Sequence, residues 1–319
     1  MMHWQERLNL YGKEGIPCFF LIDYAKHSPC VYPLESLPSE IRFAFGTPLV
    51  SLHQSARPLP LEWKKEAIPF EVYHSKVRAL QEEIAQGNCY LANLTQPTRF
   101  LTQASLGEIY EAASAPFKLL YEGKFVCFSP EPFLEIQGER ARTFPMKGTI
   151  LNAPGAKESL LGNPKELAEH VMVVDLLRND MGSWAQEVRV DSFREFSLIR
   201  TLRGEIWQTS SIVSARAPRW RERLGDILDR MTPAGSITGT PKRRCCEILE
   251  HLEEYERGCF TGVAGVFDGE SLRSFVLIRY IESSPTGELF YKSGGGITID
   301  SDPFKEYEEM LEKVYVPIF

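Results

Sequence analysis

Two pairs of glutamates stand three residues apart, Glu166 with Glu169 and Glu306 with Glu309. Each pair falls in a stretch of helical patterning, where a spacing of three puts both carboxylates on one face. Were the two faces to meet, four carboxylates would converge, which demands a cation or bound protons. Oxygen donors alone, with positions left open, suit Mg²⁺, which keeps waters and binds substrate anions. The plainer alternative is a pair of solvated helix faces, and Glu309 with Lys313 also makes an ordinary i,i+4 pair.

Pro145-Met146-Lys147-Gly148-Thr149 holds a lysine where the backbone must turn. An ammonium destabilised by burial or by nearby positive charge becomes a nucleophilic amine; otherwise Lys147 is a surface cation. Ser293-Gly294-Gly295-Gly296 follows a strand-like run. Its glycines let main-chain N–H groups approach a small anion, and they equally suit a bulge or a turn. Thr232–Lys242, TPAGSITGTPK, precedes a helical pattern. Its N–H groups could take a carboxylate at a helix N-terminus, or the segment is a plain connection. His170 alone among six histidines neighbours a motif, and it reads as a packing or capping residue. Neither G-x-G-x-x-G nor a Walker A element is present, so a nucleotide cofactor has no support.

The elements that must carry these residues follow from periodicity. Val72, Val77, Leu80 and Ile84 recur at helical spacing from Pro69, with Gly87 as the stop. Further helices are predicted at Glu108–Ser114, Pro164–Leu177, Leu224–Met231, Lys242–Leu252 and from Pro303 to about Val314. Strands are expected at Cys89–Leu94, Phe125–Phe128, Phe133–Ile136, Gly262–Phe267, Ser274–Ile281 and Leu289–Lys292, with Asp268-Gly269 as a hairpin turn. Ile16–Leu61 is rich in proline and reads as short strands and loops. Strands in runs with helices scattered between them favour an α+β fold, with largely antiparallel sheets in a layered core and flanking helices.

Composition narrows the class. The chain has 319 residues, 43% hydrophobic and 25% charged, with a formal net charge of −7. These values fit a globular protein with a sizeable core and exclude disorder as the main state. The acidic balance argues against a nucleic-acid partner. The only local basic cluster, Arg216 to Arg223, reads as a solvated helix face. Seven cysteines without a C-x-x-C fit a reducing compartment. No signal-peptide core opens the chain and no apolar run would span a bilayer, so a cytoplasmic protein with no membrane partner is expected.

PMKGT, ELAEHVMVVDLLRND, TPAGSITGTPK, GGGITIDSDP and EYEEMLEKV occur in that order. Together they resemble the chorismate-utilising enzymes: the anthranilate, aminodeoxychorismate, isochorismate and salicylate synthases. The match runs from about Pro69 to the C-terminus. It implies a catalytic region over 69–319 and a shortened variable N-terminal region over 1–68, part of the same fold. The third residue of PMKGT is lysine in aminodeoxychorismate synthases, whereas anthranilate synthases resemble P-I-A-G-T. Isochorismate and salicylate synthases place a lysine base in the strand equivalent to Gly87–Thr95, where Leu91 and its neighbours offer none. The resemblance is therefore nearest to component I of aminodeoxychorismate synthase, with anthranilate synthase component I or a non-catalytic chorismate-binding subunit as alternatives.

The resemblance implies a chemistry residue by residue. Lys147 would attack C2 of chorismate as the C4 hydroxyl leaves, and ammonia would then add at C4 and expel the lysine. The product would be 4-amino-4-deoxychorismate, on the route to 4-aminobenzoate and folate. Glu131 matches the general acid/base. Glu169 and Glu309 match direct Mg²⁺ ligands, and Glu166 and Glu306 match positions acting through water. Thr149, Arg279, Gly294, Gly295, Gly296 and Lys313 match the substrate-binding positions. Val266 stands where many relatives carry tyrosine, and Ser197 where histidine is common. No amidotransferase signature is present, so a separate glutamine amidotransferase subunit would supply the ammonia.

Overall fold

The computed structural model describes residues 2–45, 62–201 and 204–318. The chain divides into two compact units built from interleaved segments. One comprises Met1–Leu37, Glu131–Ser236 and Gly262–Val276; the other comprises Pro38–Pro130, Ile237–Thr261 and Leu277–Phe319. The expected boundary at 68/69 falls inside the Pro38–Pro130 segment of the second unit.

The first unit is built on a nine-stranded sheet among the described residues. Its order is Met146–Leu151, Gly204–Arg216, Arg140–Thr143, Pro132–Gln137, Leu272–Val276, Val263–Phe267, Cys18–Ile22 and Cys30–Pro33, with Gln186–Thr201 also paired to Gly204–Arg216. Every registered pair is antiparallel. The Pro164–Gly182 helix packs on the Met146–Leu151, Gln186–Thr201 and Gly204–Arg216 strands. Its buried residues are His170, Val173, Val174, Leu177, Asp180 and Met181, a single stripe at helical spacing. The helix Trp4–Glu14, which the periodicity did not reveal, packs along Leu224–Met231.

The second unit has an eight-stranded sheet among the described residues. Its order is Gly239–Thr240, Leu91–Leu101, Leu289–Ile297, Tyr280–Ser283, Phe125–Ser129, Phe117–Tyr121 and Ile41–Phe45, with Lys64–Glu66 also on Leu91–Leu101. Helices Phe70–Ala85, Lys242–Glu253 and Pro303–Glu312 bury Tyr73, Val77, Leu80, Ile248, Leu249 and Met310 against Ala92, Leu94 and Ile297 of this sheet. A second cluster gathers Phe100, Leu106, Ile109, Leu120, Val126, Phe128, Ile281, Tyr291 and Val316.

The predicted helices form, and the Pro164 helix continues to Gly182. Four readings need correction. Ser274–Ile281 is two strands, Leu272–Val276 and Tyr280–Ser283, in different sheets, interrupted where Arg279 takes φ +54°. Arg216–Arg223 is the end of a strand followed by a short 3-10 turn rather than a helix face. Lys147 lies on a strand rather than in a loop, and the glycine run continues a strand rather than turning. The part of the proline-rich segment at 46–61 lies outside the described residues. Among the described residues no disulfide forms, and no helix is long and apolar enough to cross a membrane.

Candidate active site

In the first unit, Lys147 sits on the Met146–Leu151 strand, where the register with Gly204–Arg216 shifts between Met146 and Thr149. That shift is a bulge of the kind that re-aims a side chain. Gly148 takes φ +81°, a region that disfavours any side chain. A Cβ there would lie 3.0 Å from Glu166 Oε2 and 3.4 Å from Thr209 Oγ1. The bulge thus brings main chain directly under the Glu166 carboxylate. Lys147 Nζ lies 3.4 Å from Glu169 Oε2, with both side chains largely covered. The Thr209 hydroxyl donates to the Lys147 carbonyl in a short hydrogen bond. Thr149 is exposed, opposite Gln208.

Glu131 stands just before the Pro132–Gln137 strand, and Ser236 Oγ donates to its Oε1 at 2.6 Å. Ser236 belongs to TPAGSITGTPK, whose Thr232-Pro233 and Thr240-Pro241 peptides are both cis. Through Ser236 the segment holds a carboxylate of the chain itself.

His170 is 1% exposed, and its Nε2 lies 2.6 Å from Ser211 Oγ. Burial, reinforced by the charge of Arg194 and opposed by a hydrogen bond with the Lys147 main chain, lowers its pKa to about 4. It is therefore a neutral hydrogen-bonding group at pH 7.

In the second unit, Leu289–Ile297 carries the three glycines and pairs with Leu91–Leu101, Gly294 opposite Thr95 and Gly296 opposite Asn93. On its other side the Tyr280–Ser283 strand pairs only with Leu289 to Lys292. From Gly294 onward the strand is paired on one side, so alternate N–H groups lie off the ladder. A Cβ on Gly295 would lie 3.5 Å from Glu306 Oε2, 3.6 Å from Lys313 Nζ and 3.9 Å from Glu309 Oε1. The glycine face is thus a cradle walled by two carboxylates and an ammonium. Lys313 Nζ donates to the Gly294 carbonyl at 2.7 Å and pairs with Glu309 at 2.8 Å.

The Pro303–Glu312 helix is capped by Asp302, whose side chain accepts from the N–H groups of Phe304 and Lys305. Glu306, on its buried face, accepts from Ser301 Oγ at 2.8 Å. Gln81 Nε2 donates to the carbonyls of Ile299 and Ser301 and so fixes the turn into this helix. Arg279 lies over the Tyr315 ring, 5.4 Å from its centroid.

The structure brings Lys147 to Glu169, and Gly295 to Glu306, Glu309 and Lys313. Among the described residues no three His, Cys, Asp or Glu side chains converge as a preformed metal cage. The donor chemistry nonetheless fits a hard dication, since each unit offers a pair of carboxylates on one helix face, and the Gly295 cradle is the space that a side chain would fill. The cavity of about 690 Å³ lined by Trp63, Arg99, Phe100 and Leu289 contains none of the candidate residues. Ser236, Ser301, Thr209, Ser211 and Gln81 escaped the sequence reading. Ser236 and Ser301 lie inside recognised motifs; nothing in the sequence marks Thr209, Ser211 or Gln81.

A family model described as chorismate binding enzyme matches residues 32–318. The chain belongs to the chorismate-binding enzyme family. An uncharacterized PabA-like protein of Haemophilus influenzae is 43% identical over 320 residues, spanning 100% of this chain and 97% of that one. Aminodeoxychorismate synthase component 1 of Klebsiella aerogenes is 34% identical over 263 residues, spanning 76% of this chain and 56% of that one. Anthranilate synthase component 1 of Haloarcula marismortui is also 34% identical over 263 residues, spanning 76% of this chain and 52% of that one. The chain thus spans about half the length of these two synthases. Their equal identity means that overall similarity does not choose between them. The structure of MenF, the menaquinone-specific isochorismate synthase of Escherichia coli, superposes with a TM-score of 0.75 at 17% identity, covering 97% of this chain and 80% of that one. At that identity the likeness speaks to fold, an α+β architecture with antiparallel sheets.

Proposed function

We propose that this family member aminates chorismate at C4, acting as component I of an aminodeoxychorismate synthase. The observation that carries the reading is Lys147: a lysine at the third position of PMKGT, its amine 3.4 Å from the Glu169 carboxylate and its main chain pinned by Thr209. An amine so placed is oriented rather than dispersed in solvent; the carboxylate beside it favours the ammonium, so Lys147 acts as a nucleophile only after giving up a proton.

The reaction balances as follows. Lys147 passes one proton to the adjacent Glu169 carboxylate and takes it back at the end of the cycle; the neutral amine forms a bond to C2, the diene shifts, and the C4–O bond breaks. Glu131, oriented by Ser236, donates the proton that lets the hydroxyl leave as water. Ammonia then bonds to C4, the C2–N bond breaks, and the proton lost by ammonia restores the enzyme. Arg279, Lys313, Thr149 and the N–H groups of Gly294 and Gly296 are assigned to the substrate carboxylates. Glu169 and Glu309, with Glu166 and Glu306 behind water, are the residues that would hold Mg²⁺. When bound, the metal supplies charge neutralisation and orientation for a carboxylate of the substrate. A separate glutamine amidotransferase is proposed as the source of ammonia, and the cytoplasm as the compartment.

The test is product analysis by mass spectrometry with chorismate, Mg²⁺ and ammonium, then with glutamine and an amidotransferase. Aminodeoxychorismate without pyruvate is expected. Anthranilate with pyruvate as the sole products would overturn the reading in favour of anthranilate synthase, which the Haloarcula likeness supports equally. Chorismate binding without turnover under every nitrogen source would leave a binding subunit.

A further inference from the structure

We propose that His170 is the positioning residue that fixes the Glu166–Glu169 face of its helix against the Lys147 strand, acting through Ser211. The inference rests on the reading of Lys147 and Glu169 as working groups and assigns how they are held.

His170 occupies the buried stripe of the Pro164–Gly182 helix, with Val173, Val174, Leu177 and Met181 and, at its far end, Asp180. An apolar side chain would pack there as well as an imidazole and would avoid the desolvation of two ring nitrogens. The histidine instead makes polar contacts, Nε2 to Ser211 Oγ at 2.6 Å and a hydrogen bond with the Lys147 main chain. Ser211 is itself immobilised. Its hydroxyl accepts from the Arg194 N–H at 3.0 Å, and its own N–H donates to the Pro145 carbonyl at 2.9 Å. Pro145 is two residues before Lys147, and Thr209, two residues before Ser211, holds the Lys147 carbonyl. Arg194 in turn donates to the carbonyls of Leu160 and Leu161 at 2.7 and 3.2 Å, tying down the end of the preceding short helix. The His170 bond therefore joins the helix that carries Glu169 to the same strand that fixes Lys147.

A helix held only by apolar packing can rotate slightly about its axis. At a side-chain radius of about 5–6 Å, a rotation of roughly 10° carries a carboxylate about 1 Å. A misplacement of that size costs about a hundredfold in rate when reacting groups must be aligned. The bond from His170, adjacent in sequence to Glu169, opposes that rotation.

The experiment compares wild type with His170→Ala, His170→Gln and Ser211→Ala as full-length proteins. Acylation of the Lys147 amine by an N-hydroxysuccinimide ester, followed by peptide mass spectrometry, reports the Lys147–Glu169 contact without requiring turnover. Steady-state kinetics with chorismate and ammonium separate kcat from KM. Acylation should rise about fivefold in His170→Ala and Ser211→Ala. In both, kcat should fall by up to about a hundredfold with KM for chorismate unchanged. Glutamine keeps a polar end group at similar reach, so His170→Gln should return both readouts toward wild type. Equal Lys147 acylation in all four proteins would overturn the proposal, as would a His170→Gln protein no better than His170→Ala. Should His170→Ala not fold, Ser211→Ala carries the same test. If wild type makes no aminated product while the acylation pattern holds, the functional reading fails and the positioning role stands.

Discussion

Gly294 and Gly295 are neighbours on one strand, yet alanine should act on them in opposite ways. At Gly295 a methyl group would make ordinary contacts, 3.5 Å to Glu306 Oε2, 3.6 Å to Lys313 Nζ and 3.9 Å to Glu309 Oε1. Folding should not suffer, because glycine in a strand interior is worth about 0.5–1 kcal/mol less than alanine. The methyl would fill the cradle and keep a ligand oxygen from Lys313. Loss of one charge-assisted hydrogen bond costs about 1.5–3 kcal/mol, roughly 10- to 100-fold in Kd. At Gly294 the same methyl would collide with the Leu94 carbonyl and Thr95 of the paired strand. Backbone cannot yield there without opening the sheet, so Gly294→Ala should lose about 1–3 kcal/mol of stability or more. Urea unfolding, together with calorimetric titration of chorismate in Mg²⁺, separates the two effects. A Gly295→Ala protein that binds chorismate like wild type would refute the assignment of this cradle to substrate. A Gly294→Ala protein as stable as wild type would refute the packing argument.

Other expectations follow from single contacts. Lys147→Ala should fold and bind Mg²⁺, since Lys147 is not among the proposed ligands and its side-chain contact with Glu169 is the one lost, while amination falls by several orders of magnitude; unchanged turnover would remove Lys147 as nucleophile. Ser236→Ala deletes the 2.6 Å bond to Glu131 and should lower kcat about tenfold without changing the fold, as kinetics and circular dichroism can report. Asp302→Ala should lower the melting temperature by uncapping the Pro303–Glu312 helix. The N–H groups of Lys305 and then Phe304 hold the Asp302 carboxyl below its ordinary value. Between the lowered folded value and the unfolded one, the unfolded chain binds more protons, so this stabilisation is complete above about pH 4 and is lost as pH falls further. Melting curves of wild type and Asp302→Ala should therefore converge in acid, and a gap that persists there would refute the capping role.

Much of this protein is local in origin and therefore legible. The helices starting at Phe70, Pro164, Leu224, Lys242 and Pro303 announce themselves by period, and all but the Leu224 helix by a proline at the start, because helical hydrogen bonds close within four residues. The Asp268-Gly269 hairpin is equally local. The spacing of Glu166 with Glu169 and of Glu306 with Glu309 guarantees a shared face wherever the helices lie. The resemblance also singles out Lys147, third in PMKGT, as the residue on which the proposed amination rests.

Tertiary structure decided what depends on distant partners. Lys147 sits between a proline and a glycine, which reads as a turn; pairing with Gly204–Arg216 makes it a bulged strand aimed at Glu169. Gly294 to Gly296 suit an anion cradle, a bulge or a turn equally by sequence, and pairing with Leu91–Leu101 makes them a strand paired on one side. Ser236 meets Glu131 across 105 residues, His170 meets Ser211 across 41 and Ser301 meets Glu306 within a capped turn. A serine carries the same local signature whether it orients a carboxylate or faces water. Only the sheet register, set by long-range pairing and by which face is buried, chooses between those fates.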